Sequence, residues 1–359
     1  MVRIKKGEYR ILGIMSGTSL DGLDLALCVF HYRQRKWSFR IEKAHTVPYA
    51  GDMKKALREA HSLQAGKLIQ FDHEYGQWIG KQCNDFLRNV TPLPDLIASH
   101  GHTVFHQPEK GYTFQAGNGH NISVETGIPV VYDFRKTDIA LGGSGAPLVP
   151  AGDELLFSEY DYCLNLGGFS NVSYKADRQR IAFDICPVNI ALNYEAEKLG
   201  YAFDRDGKLG KKGVIIEELL HRLNSLPFYK IPPPRSLMRE WFEKEFLPCL
   251  ADYSNNVDIL RTLYEHIADR TALALNSCRK GKMLVTGGGA RNTFLVSLIN
   301  NQCKHELVLS DPVIIDFKEA MIFGFLGLLR YLDKINCYRS VTGAMRDSST
   351  GILVNINNL

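Results

Sequence analysis

Gly13-Ile14-Met15-Ser16-Gly17-Thr18-Ser19-Leu20-Asp21-Gly22 decides the reading of this chain, because it lies between two apolar runs and packs small, hydroxylic and acidic side chains into one tight turn. The run Tyr9 to Ile14 reads as a buried strand and Leu23 to Phe30 as a second, so the segment between them is a hairpin loop. Glycine lets backbone N–H groups come close to an anion, and the hydroxyls of Ser16, Thr18 and Ser19 can donate to phosphate oxygens. An ordinary glycine-containing hairpin turn accounts for the same residues. What favours the phosphate reading is that the pattern recurs.

Tyr162 to Leu166 is apolar, Gly167-Gly168-Phe169-Ser170-Asn171 is a glycine turn, Val172-Ser173-Tyr174 resumes a strand, and Arg180 to Phe183 supplies a third strand ending at Asp184. The first hairpin is likewise followed by a third strand, around Trp37 to Ala44, after the basic turn Arg33 to Lys36. Two related lobes, each presenting a glycine hairpin to a shared cleft, follow from this repetition. A third cluster, Thr286-Gly287-Gly288-Gly289-Ala290-Arg291-Asn292, follows the strand Met283-Leu284-Val285 and opens a helix through Thr293 to Ile299. Strand, glycine turn and helix start make a place for a nucleotide, or simply a tight connection. No GxxxxGK[ST] occurs, and no GxGxxG follows a strand with the acidic partner that a dinucleotide site needs.

Composition bounds the rest. The 359 residues, 45% of them hydrophobic, suffice for a large core and favour two domains over one. A net charge of +4, from 43 basic and 39 acidic residues spread along the chain, gives no footprint for nucleic acid. The basic start Val2 to Lys6 precedes an apolar stretch too short and too broken for a signal peptide, and the run Met321 to Leu329 is too short to span a membrane. A soluble, cytoplasmic protein is expected. Cys28, Cys83, Cys163, Cys186, Cys249, Cys278, Cys303 and Cys337 form no CxxC pair and read as reduced, mostly buried thiols. The triplet His100, His102 and His106 follows the strand Leu96 to Ser99, on what reads as a loop. With no acidic or cysteine partner at ligand spacing, it reads as a polar loop facing a ligand rather than as a zinc site.

In order along nearly the whole chain, GTSLDGLD (17–24), ASHGHT (98–103), VYDFRKTDIALGGSGAPLVP (131–150), NLGGFSN (165–171), VTGGGARN (285–292), KEA (318–320) and SVTGA (340–344) resemble anhydro-N-acetylmuramic acid kinase. The resemblance implies an α/β fold of the sugar kinase, Hsp70 and actin superfamily. Its two actin-like (ribonuclease H-like) ATPase lobes each have a mixed sheet flanked by helices and close on ATP across a central cleft. Residues 1–150 with about 316–359 would form the first lobe and 151–315 the second.

The family takes ATP, water and 1,6-anhydro-N-acetylmuramic acid, a product of cell-wall turnover, and yields N-acetylmuramic acid 6-phosphate and ADP. One site must open an intramolecular glycosidic bond and phosphorylate the oxygen released. A general base activates water at the anomeric carbon, and the departing O6 takes the γ-phosphoryl group where a glycosidase would supply a proton. The family's base is the aspartate of an FDTGPGN-like motif, here Phe183-Asp184-Ile185-Cys186-Pro187-Val188-Asn189, which makes Asp184 the catalytic candidate. A helix-capping role is the alternative for Asp184. Ile185, Cys186 and Val188 replace a threonine and two glycines of the motif, a change that puts the sugar accepted in doubt.

By the same resemblance Gly17, Thr18, Ser19, Leu20, Asp21, Gly22, Leu23 and Asp24 match the ATP-binding segment, with Gly167, Gly168, Gly287 and Gly288 as further phosphate or nucleoside contacts. Relatives in the superfamily place an aspartate for magnesium before the first glycine, but Met15 and Ser16 stand there. Asp21, the first choice, or Asp184 is then the candidate to hold Mg2+ through water, unless these carboxylates make only structural hydrogen bonds. Arg135, Asp138 and Glu319 match substrate-facing positions, and His102 joins them from the histidine loop. An arginine suits the lactyl carboxylate of muramic acid, although Arg135 and Asp138 could instead pair with each other. Glu319 opens an apolar helix, where the helix dipole also favours an acid. Pro232-Pro233-Pro234-Arg235 resembles the family's proline-rich segment and reads as a rigid turn between helices at Val214 to Leu223 and Arg239 to Phe246. Asn256 to Cys278 reads as a long helix on the second sheet. A homodimer is implied by resemblance alone. Another kinase of the superfamily with a different small acceptor, and a noncatalytic ATP-binding regulator, are the competing readings.

Overall fold

The computed structural model describes residues 7–17 and 20–356. The chain divides into two compact units, Met1–Leu156 with Phe317–Leu359, and Phe157–Asp316.

In the first unit the opening stretch folds as a hairpin. Strand β1 (Glu8–Ser16) runs antiparallel to β2 (Gly22–Arg33), with Ser16 opposite Leu23, and β2 runs antiparallel to β3 (Lys36–Pro48). On its other side β1 lies parallel to β4 (Leu96–Gln107), which pairs parallel with β6 (Val130–Tyr132) and, at its far end, antiparallel with β5 (Tyr112–Ala116). Strand β12 (Ile352–Val354) closes the sheet against β6, giving the order β12-β6-β4-β1-β2-β3. β1 and β2 are central and covered on both faces, which is why Ile11–Ile14 and Leu23–Phe30 read as continuous apolar runs rather than alternating ones. On one face Leu12, Ile14, Leu23, Leu25 and Leu27 share a core with Tyr75, Ile79 and Cys83 of helix α1 (Ala65–Leu87).

The other face receives a helix at backbone distance. A Cβ on Gly13 would stand 1.9 Å from the carbonyl oxygen of Ala320, and one on Gly324 would stand 3.2 Å from the Gly13 Cα. Two glycines thus set the contact between β1 and the helix that carries Glu319.

The second unit repeats the plan. Strands β7 (Tyr162–Leu166), β8 (Phe169–Ala176) and β9 (Gln179–Pro187) form an antiparallel meander; β10 (Lys282–Thr286) lies parallel to β7, and β11 (Glu306–Leu309) parallel to β10. The order is β11-β10-β7-β8-β9. It is the order β6-β4-β1-β2-β3 over again, so the repeated pattern in the sequence is a repeated topology. Helices α2 (Asn189–Lys198), α3 (Asn256–Leu275) and α4 (Thr293–Gln302) pack on this sheet through a core that includes Leu164, Phe183, Leu192, Ile259, Leu263, Ile267, Val285 and Leu295. The fold class is thus α/β, with a mixed sheet flanked by helices in each unit.

Two expectations fail in detail. The histidine triplet is not on a loop: β4 continues through Gln107, with a bulge where Ile14 faces Ser99 and Ser16 faces His102. Gly101, at a φ of 74°, supplies that bulge, and the extra residue sends His100 and His102 to opposite faces. Nor does Glu319 open its helix, because α5 (Pro312–Tyr331) begins seven residues earlier. The dipole rationale for an acid at that position therefore falls.

Candidate active site

In each sheet the parallel strands end on one edge, the usual place for ligands in α/β folds. In the first unit this edge carries the hairpin turn, Tyr49 after β3, the end of β4 and the residues after β6. Thr18 and Ser19 lie outside the described residues. Gly17 accepts the Leu20 N–H across the turn, 3.3 Å, and Asp21 is exposed at its tip. The side chains of Leu20 and Leu23 belong to the core, so only their backbone is available to a ligand. Gly22 is pressed onto β3, where a Cβ would meet the Val47 carbonyl at 2.6 Å. Asp24 accepts from Thr46 Oγ1, 2.5 Å.

Below the turn runs a buried chain of hydrogen bonds that the sequence did not disclose. Tyr75 and Tyr49 share a hydroxyl contact of 2.7 Å, Tyr49 donates to Ser16 Oγ at 2.7 Å, and Ser16 Oγ lies 3.1 Å from His102 Nδ1. Burial holds His102 down at about 4, so its ring is neutral and acts as a hydrogen-bonding group. His102 was expected to face substrate; it is buried and braces the strand end that leads into the hairpin turn. Only the alternation of β1 and β4 hinted at this, and the bulge at Gly101 hid it.

On the helix face of the same edge, Arg135 is held by two acceptors, His100 Nε2 at 3.0 Å from its Nε and the Gly145 carbonyl at 2.8 Å from its Nη1. Burial lowers the guanidinium to about 10, with Glu319 and Cys337 opposing, so it stays charged. His100 packs against Phe323 and is kept neutral by burial and by the positive charge of Arg135. Glu319 is open to solvent though closely surrounded by protein. Desolvation pushes its carboxyl up, the charge of Asp24 adds to this, and Lys318 and Arg135 oppose it. Lys318 itself pairs with Asp153, 2.8 Å, both buried, and so ties α5 to the helical segment Val149–Leu156.

Asp138 is a correction. It has no exposed surface and does not pair with Arg135. Its Oδ2 accepts the Gly145 N–H at 2.8 Å, and its Oδ1 accepts from Thr342 Oγ1 at 2.8 Å and Cys337 Sγ at 3.1 Å. It ties the glycine-rich loop 142–147 to the SVTGA segment and leaves nothing for a substrate.

In the second unit β7, β9 and β10 all end on one edge, and the four predicted glycines come together there. Gly287, at a φ of 81°, sits where a Cβ would strike Asn165 Oδ1 at 2.5 Å, and a Cβ on Gly289 would lie 2.8 Å from Leu166. Gly168 has open space where a Cβ would be, and Gly288 has only Asn189 Nδ2 at 3.6 Å, so both backbones can be approached. The carbonyls of Gly167 and Gly168 accept the N–H groups of Val188, Asn189 and Ile190, which fixes the turn to the start of α2.

Asp184 lies inside β9, opposite Asn171, rather than at the strand's end. It does not cap α2: its Oδ2 accepts the Leu237 N–H at 2.7 Å, while Oδ1 has no partner among the described residues. Burial pushes its carboxyl up to about 6, against the Leu237 N–H and the Arg235 guanidinium, which pull it down. Ile185, Cys186 and Val188 are fully buried in the core of this unit. Val188 Cγ1 stands 3.5 Å from where a Gly289 Cβ would be, so its bulk packs inward against that turn. These departures fill the core and line no open surface. All the cysteines are free thiols, buried except for the half-buried Cys278.

With this arrangement in place, a sequence profile of the family described as anhydro-N-acetylmuramic acid kinase matches residues 9–355. This chain belongs to the anhydro-N-acetylmuramic acid kinase family. A Vibrio parahaemolyticus protein of that name is 34% identical over 96% of this chain and 98% of its own length. A Photobacterium profundum one is 33% identical over 96% and 98%, and a Hydrogenovibrio crunogenus one 30% identical over 95% and 96%. As a member of this family the chain is an enzyme, a kinase that uses ATP. No helix among the described residues is long and apolar enough to cross a membrane.

Proposed function

We propose that this enzyme opens the 1,6-anhydro ring of 1,6-anhydro-N-acetylmuramic acid with water and phosphorylates O6, giving N-acetylmuramic acid 6-phosphate and ADP. The observation that carries the mechanism is Asp184. It is a half-buried carboxylate with one oxygen fixed by a backbone N–H and the other unengaged among the described residues, poised at about 6. At neutral pH such a group is largely ionised, yet it is a stronger base than an ordinary carboxylate. Asp184 Oδ1 takes a proton from water as the water oxygen bonds to C1. The C1–O6 bond breaks, and O6 bonds to the γ-phosphorus as the bond from that phosphorus to the ADP oxygen breaks. The proton passes to solvent, so one proton is released per turnover. No second carboxylic acid is required, because the leaving oxygen is capped by phosphorus.

Each unit carries further candidate binding groups of its own. Arg135, oriented by His100 and Gly145, keeps Nη2 unengaged among the described residues and suits the lactyl carboxylate. Glu319, open and held at a set depth by Gly13, suits a sugar hydroxyl. In the second unit the open backbones of Gly168 and Gly288 fit a nucleotide. A Mg2+ ion would neutralise charge on the phosphates. The exposed Asp21 is the group to reach that ion, through its water shell. The reading with another acceptor drew on Ile185, Cys186 and Val188, and their burial in the core removes its basis.

The test supplies purified protein with ATP, Mg2+ and the anhydro sugar, and follows ADP and sugar phosphate. Equal amounts of both are expected from the native protein and neither from Asp184→Asn, which should still bind ATP. ADP without sugar phosphate would sink the proposal, and turnover by Asp184→Asn would sink the assignment of the base.

A further inference from the structure

β9 is the outer strand of its sheet, and an outer strand leaves backbone groups open. Here the proline-rich segment covers it. The Asp184 N–H donates to the Arg235 carbonyl at 3.0 Å, and the Leu237 N–H returns to Asp184 Oδ2 at 2.7 Å. Pro232, Pro233 and Pro234 bring no N–H, so no regular ladder can form along them and the contact is concentrated at residues 235 to 237. Something other than a ladder must hold the segment down.

The Arg235 side chain does this. Its guanidinium lies 5.4 Å from the Phe183 ring centroid and 5.0 Å from that of Phe228. Its Nε donates to the Asp184 carbonyl at 3.1 Å, and its Nη1 to the carbonyls of Tyr229 at 3.3 Å and Ile231 at 2.8 Å. One planar fork therefore joins the strand to the start of the segment, with an aromatic ring beside it on each element. A lysine has the charge but neither the plane nor the fork.

We propose that Arg235 is the positioning residue of Asp184: it pins the proline-rich segment on β9 so that the Leu237 N–H holds Oδ2 and Oδ1 is left to take the proton from water. This rests on Asp184 being the general base. Among the described residues the charged and titratable surroundings are few. Arg235 is the charged side chain acting on Asp184, and Arg235 in turn feels Tyr229, Cys186 and Arg270. Without the guanidinium, Asp184 loses both its geometry and one of the two influences holding its carboxyl down, so the acid limb of the pH profile moves up.

The experiment measures kcat, KM for each substrate and the pH profile of kcat/KM for Arg235→Ala and Arg235→Lys. For Arg235→Ala, kcat should fall about 10- to 100-fold, as expected when a base is misplaced by about an ångström. KM for ATP should be unchanged, the acid limb should shift to higher pH, and methylguanidinium, which fits the gap beside the two rings, should restore part of kcat. Arg235→Lys, which keeps stem and charge, should fold with wild-type Tm and give an intermediate kcat. A folded Arg235→Ala with wild-type kcat and limb overturns the proposal. If that variant does not fold, a wild-type kcat in Arg235→Lys overturns it. An inactive Asp184→Asn beside unaffected Arg235 variants refutes the positioning role alone, whereas an active Asp184→Asn refutes the base on which it rests.

Discussion

Replacing Asp184 with Asn should inactivate the enzyme and stabilise it in the same stroke, but only above a certain pH. Burial raises this carboxyl from an ordinary 3.8 to about 6. At ~1.4 kcal/mol per unit, a shift of about two units corresponds to about 3 kcal/mol. The sign is opposite to that of a salt-bridged aspartate. Below 3.8 the group is neutral folded and unfolded, so it contributes nothing. Between 3.8 and 6 the unfolded chain ionises first, and stability falls as pH rises; above 6 the whole penalty is present. Asn carries no charge and still accepts the Leu237 N–H. Because Asp184 is partly exposed, ~3 kcal/mol is an upper bound. For a unit of this size it corresponds to a Tm rise of at most about 6–12 °C at pH 8, shrinking to nothing near pH 4. Thermal melts of both proteins from pH 4 to 9 measure it. A variant that melts at or below the wild type at pH 8, or a difference that does not change with pH, would show that Asp184 is not a strained, desolvated base.

Gly13→Ala should be costly out of proportion to one methyl group. With a Cβ otherwise 1.9 Å from the Ala320 oxygen, β1 and α5 must part by about 1 Å, at a cost of about 1–3 kcal/mol or more. Glu319 moves with the helix, so urea unfolding and kcat should both suffer, and a variant normal in either respect contradicts the role given to this contact. Tyr49→Phe removes one hydroxyl from the buried chain through Tyr75, Ser16 and His102. It should cost about 1–3 kcal/mol and raise KM for ATP more than KM for the sugar. Equal effects on both would detach this chain from the hairpin turn.

The sheets were legible because their central strands are buried on both faces and bounded by glycine turns; the order of Tyr162 to Asp184 after that of Tyr9 to Ala44 already implied a repeated topology. The glycine turn at 287 to 289 was legible for the same reason, since strand and helix flank it closely in sequence. What escaped was everything set by contacts distant in the chain. Asp138 looks like any polar residue near a glycine loop, and only the fold brings Thr342 and Cys337 onto it. His102 read as ligand-facing because the strand seemed to end at Ser99 and leave the triplet on a loop, whereas β4 continues through a bulge at Gly101. Ile185, Cys186 and Val188 read as pocket residues because they adjoin the base in sequence, whereas in the fold they point into the core. Arg235 was quoted within its proline run, yet its bond to a strand 51 residues away has no local signature.

The most direct test of the account follows the oxygen of water. With ATP, the anhydro sugar and water labelled with oxygen-18, quenched before the anomeric oxygen exchanges, Asp184-directed attack at C1 predicts one labelled oxygen on C1 of the sugar phosphate and none in its phosphoryl group. Label in phosphate, or an unlabelled C1, would contradict it.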